Sequence, residues 1–527
     1  LIEATGLFDL LIKNGTVIDG AKSPARRADV AVRGDRIVEI GQLAAAEAKT
    51  IIDAAGKIVA PGFIDVHNHS DAWLLKTPHL AAKTMQGFTT EVLMADGISY
   101  APVNAQTAAE WIYYLRALNA LTLDDYHGWQ SIGEYMWLLE GRNVQNFATH
   151  IPYANVRTLA CGFGRQRPDD YQMNTIKRAI AQGMEEGAVG LSTGLDYIVQ
   201  FCSDTSELAE AASAMAAANG LYVSHVRYKK GVLAGVQEAV EIGRRGGVRV
   251  HISHLKGTTP QDVDAVLGYL DQCEREGVDI SFDVYPYLPG STMLSYMLPY
   301  EVWQDGPLGV LSKLKEPRIR ELLAESLPST AYEKAHIAWV GSKHNSRHQG
   351  KMVVDYVEEM GCSAADALAD LLIEERLAVL LVYRYGLPDE AIEPFLAHPR
   401  FMLGTDGIYH PDGVVHPRMY GSVGRVLGHW VRQKRRCSLE DAIWKLAGFP
   451  AERFGLRDRG VLRPNSFADI VVFDAETIID RATYDDPHQT TLGVEQVVVN
   501  GAPIVRDGRP LEGLSTPLPG RYLRAEY

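Results

Sequence analysis

The sequence predicts an α/β fold: a (β/α)8 TIM-type barrel, with a small β domain formed from both chain ends and an insertion near the barrel mouth. Three observations carry this. Short β-branched runs alternate strictly with amphipathic helical stretches through the middle of the chain, the pattern of a parallel sheet covered by helices. Hairpin-rich segments stand at both ends. From about residue 286 to about residue 380 the alternation breaks, beginning with a run rich in Tyr, Pro, Trp and Gly.

The elements follow in order. In "FDLLIKNGTVIDG" the pair Asn14-Gly15 stands between apolar runs and predicts a hairpin turn, as does Arg33-Gly34-Asp35 in "ADVAVRGDRIVEIG". The same texture returns in "VEQVVVNGAPIVRDGRP", with Asn500-Gly501 and Asp507-Gly508. One joint domain, residues 1–60 plus 456–527, is preferred to two separate β appendages. Residues 61–455 are assigned to the barrel. There "NTIKRAIAQGMEEG" reads as helix and "AVGLSTG" as strand. In "DTSELAEAASAMAAANG" Asp204 can cap, Glu207 sits three residues on, and Gly220 follows the end. "LYVSH", "VRVHISH" and "VDISFDVYPY" read as strands, and "TPQDVDAVLGYLDQCEREG" as a helix with Thr259 as cap and Pro260 in its first turn. A closed barrel is preferred to an open doubly wound sheet; no GxGxxG follows a first strand, so a dinucleotide fold has no support. A bare barrel needs only about 250 residues, so residues 286–380 read as an insertion, either a lid or a surface elaboration.

Bulk properties exclude some functions. The net charge of −14, from 52 basic and 66 acidic residues, argues against nucleic-acid or anionic-membrane partners. A small anionic substrate stays open, because a pocket can oppose the global charge. No apolar run reaches the ~18 residues of a membrane span. The five cysteines are scattered, with no CxxC pair, which fits a reducing compartment without disulfides. The N-terminus shows no basic n-region or cleavage pattern and no initiator Met, and is read as trimmed; the expectation is a cytoplasmic protein, and a homo-oligomer would be unsurprising at this size.

The chemistry is concentrated at strand ends. "PGFIDVHNHSDAWLL" carries His67 and His69 two residues apart after an apolar run. In a strand such residues face one way, roughly 6–7 Å apart, and in a (β/α)8 barrel the C-terminal strand ends form the active face. Two imidazoles there can reach one metal ion at ~2.0–2.1 Å; a hydrogen-bonded histidine pair is the plainer alternative. More ligand-type residues end other strands: Asp96, His225, His254 and Asp406. Imidazoles with carboxylates suit one or two divalent ions, Zn²⁺ first, with Mn²⁺, Co²⁺ or Ni²⁺ as substitutes. His251, three residues before His254, cannot share its strand face and is read as packing behind the ligands.

At these residues the chain resembles a known family. "PGFIDVHNHSD", "GAVGLSTGLDY", "SHVR", "HISHLKG", "FDVYPYLPGSTML", "GTDG" and "HPRMYG" together are similar to the amidohydrolase superfamily, and within it to the D-aminoacylase (N-acyl-D-amino-acid deacylase) branch, over nearly the whole chain. HxH is generic to the superfamily, whereas "FDVYPYLPGSTML" and "HPRMYG" are more specific. The resemblance implies that His67 and His69, completed by Asp406, serve one metal position and His225 with His254 the other, and that Asp406 is also the general base. It implies a substrate carboxylate held by Lys256, Arg418, Ser291 and a tyrosine, Tyr285 or Tyr287. Lys256 also stands two residues after His254, on the same side if the strand persists. Arg227 is a further candidate, in a loop where the family often has acidic residues and this chain has Tyr228, Lys229 and Lys230. His416 either contacts the reacting amide or holds its loop. The chain departs from the family at Asp96, where a bridging cysteine is usual. A carboxylate can bridge as well but is the harder donor, which moves metal preference toward Mn²⁺ or Co²⁺; otherwise Asp96 is a loop residue that binds nothing.

The activity so implied is metal-dependent hydrolysis of a linear amide, N-acyl-D-amino acids above all. A divalent ion lowers the pKa of its water toward ~7, and Asp406 can take the proton and pass it to the leaving nitrogen. Ser192 in "GLSTGLDY" is not in a GxSxG elbow. The alternatives are a hydantoinase- or dihydroorotase-like cyclic amide hydrolase, a deaminase, and a non-catalytic scaffold. No lysine ends a predicted strand in a bridging position, which ranks the cyclic amides lower.

Overall fold

The β-branched runs in the middle of the chain pair in parallel, each with the next along the sequence. The computed structural model describes residues 7–43, 45–327, 332–384 and 388–527. Its barrel strands are, in order, Phe63–Asp65, Phe88–Leu93, Asn146–Thr149 continued past His150 by Ile151–Pro152, Gly190–Gly194, Leu221–His225, Arg249–Ile252, Ile280–Val284 and Phe401–Leu403. The third strand joins the two parallel sheets, pairing with the second on one side and the fourth on the other. The last strand closes on the first: the Val66 N–H reaches the Leu403 carbonyl at 3.4 Å, the Asp406 N–H the His67 carbonyl at 2.7 Å, and the His69 N–H the Gly407 carbonyl at 3.1 Å. Among the described residues, closure leaves the barrel itself without a free sheet edge.

The strands read as nearly continuous apolar runs because both faces are buried. One face packs against the helices through residues such as Tyr222, Phe282 and Leu403. The other fills the barrel with Ile64, Val66, Val92, Leu221, Val223 and Met402, and Phe449 and Phe454, at the two ends of the helix Phe449–Arg453, join this cluster. The predicted caps form. Asp204 accepts the Glu207 N–H at 2.8 Å, and Thr259 makes a capping box with Asp262, with Pro260 in the first turn. The helix after Asp204 differs from expectation at its far end. It tightens to 3₁₀ geometry over Ser213–Ala218, and Asn219 takes the left-handed terminal conformation (φ 49°) expected of Gly220.

Strands from both chain ends share one nine-stranded sheet. Ile58–Pro61 lies between Phe8–Val17 and Ile470–Phe473, and leads directly into the first barrel strand. The turns at Gly34, Asn500-Gly501 and Asp507-Gly508 each join two paired strands. Asn14-Gly15 does not form a hairpin. Phe8–Val17 runs on as one strand, with a register shift between Ile12 and Gly15. The bulge falls where this strand exchanges one parallel neighbour, Ala48–Asp53, for the next, Ile58–Pro61. An Asn-Gly pair signals left-handed backbone, and Asn14 (φ 63°) uses it for a bulge rather than a turn.

Between the seventh and eighth barrel strands, Ser291–Met293, Val379–Tyr383 and Ala335–Val340 form a separate antiparallel sheet with Val379–Tyr383 in the centre. This segment leaves the barrel at its C-terminal face, over the mouth.

Gly190 opens the fourth strand with φ 155°, and a Cβ there would lie 2.0 Å from the Leu221 carbonyl oxygen of the neighbouring strand. Gly190→Ala is expected to lower the denaturation midpoint, at a cost of about 3 kcal/mol, as measured by circular dichroism during chemical unfolding.

Candidate metal centre

Six side chains from five barrel strands meet at the C-terminal mouth. His67, His69 and Asp96 form one triad of close ligand atoms, Asp96, His225 and His254 a second, and His67, His254 and Asp406 a third; all are buried. Asp96 stands at the middle: its Oδ1 lies 3.5 Å from His67 Nε2, 3.7 Å from His254 Nε2 and 4.0 Å from His225 Nδ1, and its Oδ2 lies 3.7 Å from His69 Nε2. Asp406 Oδ1 is 3.1 Å from His69 Nε2 and 3.7 Å from His67 Nε2.

Only His225 reaches the centre by simple strand alternation, as the last residue of Leu221–His225. The first strand ends at Asp65, so His67 and His69 stand on the extended segment beyond it, held by backbone bonds to residues 406 and 407. The i, i+2 geometry expected of a strand is thus supplied by barrel closure. Asp96, His254 and Asp406 all lie past the ends of their strands with left-handed backbone, at φ 57°, 35° and 49°. Such strain in non-glycine residues persists where the surroundings over-determine it. His251 points into the barrel from its strand, below the ligands, and bonds Asp283 at 2.9 Å and Ser281 at 2.8 Å.

The electrostatics favour a cation. Burial opposes ionisation of Asp96, but His67 and His254 outweigh it and hold the carboxyl well below the usual range. Burial likewise opposes ionisation of Asp406, and Arg418 with His69 outweighs it. Burial alone would push the His67 imidazole down; Asp96 and Asp283 instead hold it well above its ordinary value. His67 Nε2 and Asp96 Oδ1 are buried without a hydrogen-bond partner. Buried polar atoms without partners cost several kcal/mol unless something satisfies them, and a divalent ion between these atoms would do so. The donor set therefore fits a metal, and Asp96 stands within two of its three groups of close ligand atoms.

A cavity of about 530 Å³ opens on this centre, lined by His225, His254, Asp406, Lys256, Tyr285 and Ser291 among others. Lys256 Nζ donates to the Tyr285 hydroxyl at 2.7 Å. Of the two candidate tyrosines, Tyr285 faces the cavity, while the Tyr287 hydroxyl bonds Asp480 at 3.2 Å. Ser291 Oγ is engaged by the Leu381 carbonyl at 2.7 Å. Three further candidates are engaged by groups of the protein itself. Arg227 pairs with Glu238 at 2.8 Å and donates to the Leu195, Phe201 and Ser203 carbonyls. Arg418, fully buried, stands against Asp406 rather than in the cavity lining. Its Nη1 lies 2.8 Å from Asp406 Oδ2, unaligned for a hydrogen bond, and its Nη2 donates to the Ser291 carbonyl at 3.2 Å. His416 holds its loop: Nε2 donates to the Pro289 carbonyl at 2.9 Å and Nδ1 accepts the Arg418 N–H at 3.0 Å.

Sequence reasoning missed the layer beneath. Asp283, in "FDVYPY", accepts the His254 N–H at 2.9 Å and faces His67 Nδ1 at 3.6 Å. Asp65 Oδ1 accepts the N–H groups of Thr405 (2.8 Å) and His67 (3.3 Å), and so ties together the two loops that carry ligands. Its other oxygen pairs with fully buried Lys83, which also lies 3.6 Å from Glu91. Strand alternation marks Asp283 as inward-facing, but only the fold brings Lys83 to Asp65.

Known proteins share this frame. The model of the amidohydrolase family matches residues 50–286 and 330–505. N-acyl-D-glutamate deacylase of Alcaligenes xylosoxydans xylosoxydans is 34% identical over 98% of this chain and 97% of its own. D-aminoacylase of the same organism is 34% identical over 94% of each chain. Among solved structures, N-acyl-D-glutamate deacylase from Bordetella bronchiseptica, complexed with zinc and a phosphonate mimic of the tetrahedral intermediate, superposes with TM-score 0.84 and 33% identity, covering 99% of this chain and 100% of that one. A crystal structure of D-aminoacylase gives TM-score 0.79 and 30% identity, covering 98% and 100%.

Lys83→Met would leave Asp65 and Glu91 buried without their cation. Breaking a buried pair in this way costs about 3–5 kcal/mol, and Lys83→Met is expected to lower both the thermal midpoint and zinc affinity, measured by calorimetry and chelator competition.

Proposed function

The chain belongs to the amidohydrolase family, and we propose that it hydrolyses N-acyl-D-amino acids to a carboxylate and a free D-amino acid. One observation carries this reading: the cluster of four imidazoles and two carboxylates and the amine of Lys256 face the same cavity. The first can hold the metal, and the second can hold a substrate carboxylate. The D configuration rests on the activities of the relatives.

His67, His69, Asp96, His225, His254 and Asp406 would hold one or two divalent ions, zinc by analogy with the Bordetella enzyme. When bound, a divalent ion supplies Lewis-acid polarisation of a carbonyl and a lowered pKa for water. The protein's own groups do the rest. Lys256, with the Tyr285 hydroxyl at its side, fixes the substrate carboxylate as a point charge with three donors. Arg418 pins Asp406 through Oδ2 and leaves Oδ1 turned toward His69 and His67. Asp406 takes a proton from the attacking water and returns it to the amide nitrogen, which leaves poorly as an anion. Water adds to the acyl carbon, the C–N bond breaks, and the proton ends on the amine. Tyr197, Tyr228, Tyr296 and Leu288 wall the cavity and displace water around the reacting amide.

The test is turnover of paired N-acetyl D- and L-amino acids by purified protein stripped of metal and reconstituted with zinc. The D series is expected to react and the L series not, and chelator is expected to abolish the activity. Asp406→Asn is expected to retain zinc and lose about 10²–10⁴-fold in kcat, the usual scale of acid–base catalysis. Uniform inactivity on the D series, or turnover of hydantoins instead, would overturn the reading.

A further inference from the structure

The metal centre and the roof of the pocket share one carboxylate. Asp196 lies two residues past the fourth barrel strand and is almost fully buried. Its Oδ2 faces His225 Nε2 at 3.4 Å. The same oxygen accepts the Lys229 N–H at 3.3 Å and the Tyr296 hydroxyl at 3.4 Å. The Asp196 carbonyl accepts the Tyr300 hydroxyl at 3.2 Å. His225 presents its other nitrogen, Nδ1, to the centre, 2.9 Å from His254 Nε2 and 4.0 Å from Asp96 Oδ1. Asp196 therefore takes the nitrogen on the far side of a candidate ligand. A carboxylate there fixes the tautomer and orientation of a ligating imidazole.

Tyr296 and Tyr300 belong to the insertion, on the turns Leu294–Met297 and Tyr300–Trp303. The segment that carries them closes one side of the cavity through Ser291, Thr292 and Tyr296. Its docking is built around Asp196. Lys229 Nζ donates to the Tyr296 carbonyl at 3.3 Å and stands over the rings of Tyr296 (4.1 Å) and Tyr300 (4.8 Å). Phe201 stacks on Tyr300 at 3.9 Å with the rings 6° from parallel. The Tyr197 ring fills the space between His225 (4.9 Å) and Tyr296 (5.4 Å).

We infer that Asp196 is a positioning residue that couples metal binding to closure of the pocket: it aims His225 at the centre and latches the Tyr296–Tyr300 segment over the cavity. The inference rests on the metal-dependent reading above. With Nδ1 turned to a bound ion, His225 would keep its proton on Nε2, toward Asp196, and Asp196 would stay fixed as the acceptor on which Tyr296 docks. By reciprocity, the docked segment strengthens metal binding.

The experiment is hydrogen–deuterium exchange across residues 294–303 in apo and zinc-loaded full-length protein, with zinc affinity measured by chelator competition. In the unmodified protein zinc is expected to slow exchange in this segment. Asp196→Ala is expected to weaken zinc binding about 10–100-fold, the usual scale for loss of such a partner, and to abolish the effect of zinc on exchange. Asp196→Asn, which keeps an acceptor for Tyr296 and loses the charge, is expected to weaken zinc binding with less effect on the segment, and it serves if the alanine variant does not fold. Tyr296→Phe is expected to speed exchange and raise KM more than it lowers kcat, with a smaller loss of zinc affinity. Zinc affinity unchanged in both Asp196 variants, or zinc slowing the segment equally in Asp196→Ala, would overturn the coupling and leave the amide-hydrolase reading standing. Failure of the unmodified protein to bind zinc would overturn that reading itself.

Discussion

Two carboxylates, Asp96 and Asp406, are buried among four imidazoles at one end of a closed barrel. Placing that much negative charge in a low-dielectric interior is costly unless positive charge sits beside it. Arg418 answers part of the demand at Asp406, and nothing but imidazole nitrogen faces Asp96 among its described ion pairs. The unpartnered Asp96 oxygen and His67 nitrogen mark where the remaining demand falls. A divalent cation is the group whose charge and coordination satisfy both at once.

The rest of the architecture can be read as what it takes to keep those six side chains in place. Closure of the last strand on the first aims His67 and His69. Left-handed residues at strand ends turn Asp96, His254 and Asp406 inward. Beneath them lies a second layer of charge, with Asp283 between His67 and His251 and Asp65 between Lys83 and Thr405. Lys83 answers the charge of Asp65 and Glu91 within this layer, while Asp283 sets a further carboxylate directly beneath His67. The apolar plug of Phe449 and Phe454 closes the interior behind it, which leaves the cavity side as the way in.

Much of this was legible in the sequence, for physical reasons that can be named. Strand and helix periodicities are local, so the alternating βα units could be followed residue by residue. HxH and the histidines and aspartates at other strand ends stood out because polar groups are rare in such apolar runs. What could not be read depended on contacts made across the fold. Arg227 and Tyr287 stand out in the sequence, but their engagement by Glu238 and Asp480 is made only across the fold. His416 depends on a carbonyl 127 residues away in the chain. Lys83 sits in an ordinary amphipathic stretch, and its place beside Asp65 exists only once the barrel has closed. Asn14-Gly15 shows the converse case: the preference for left-handed backbone was read correctly, but the same φ serves a bulge as well as a turn.

The central claim is that one cationic site organises residues far apart in the chain. It is tested most directly by a crystal structure of zinc-loaded protein, with anomalous data collected at the zinc edge. The account predicts one or two anomalous peaks in contact with His67, His69, Asp96, His225, His254 and Asp406. Zinc bound elsewhere, or fully loaded protein with no peak among these six side chains, would contradict it.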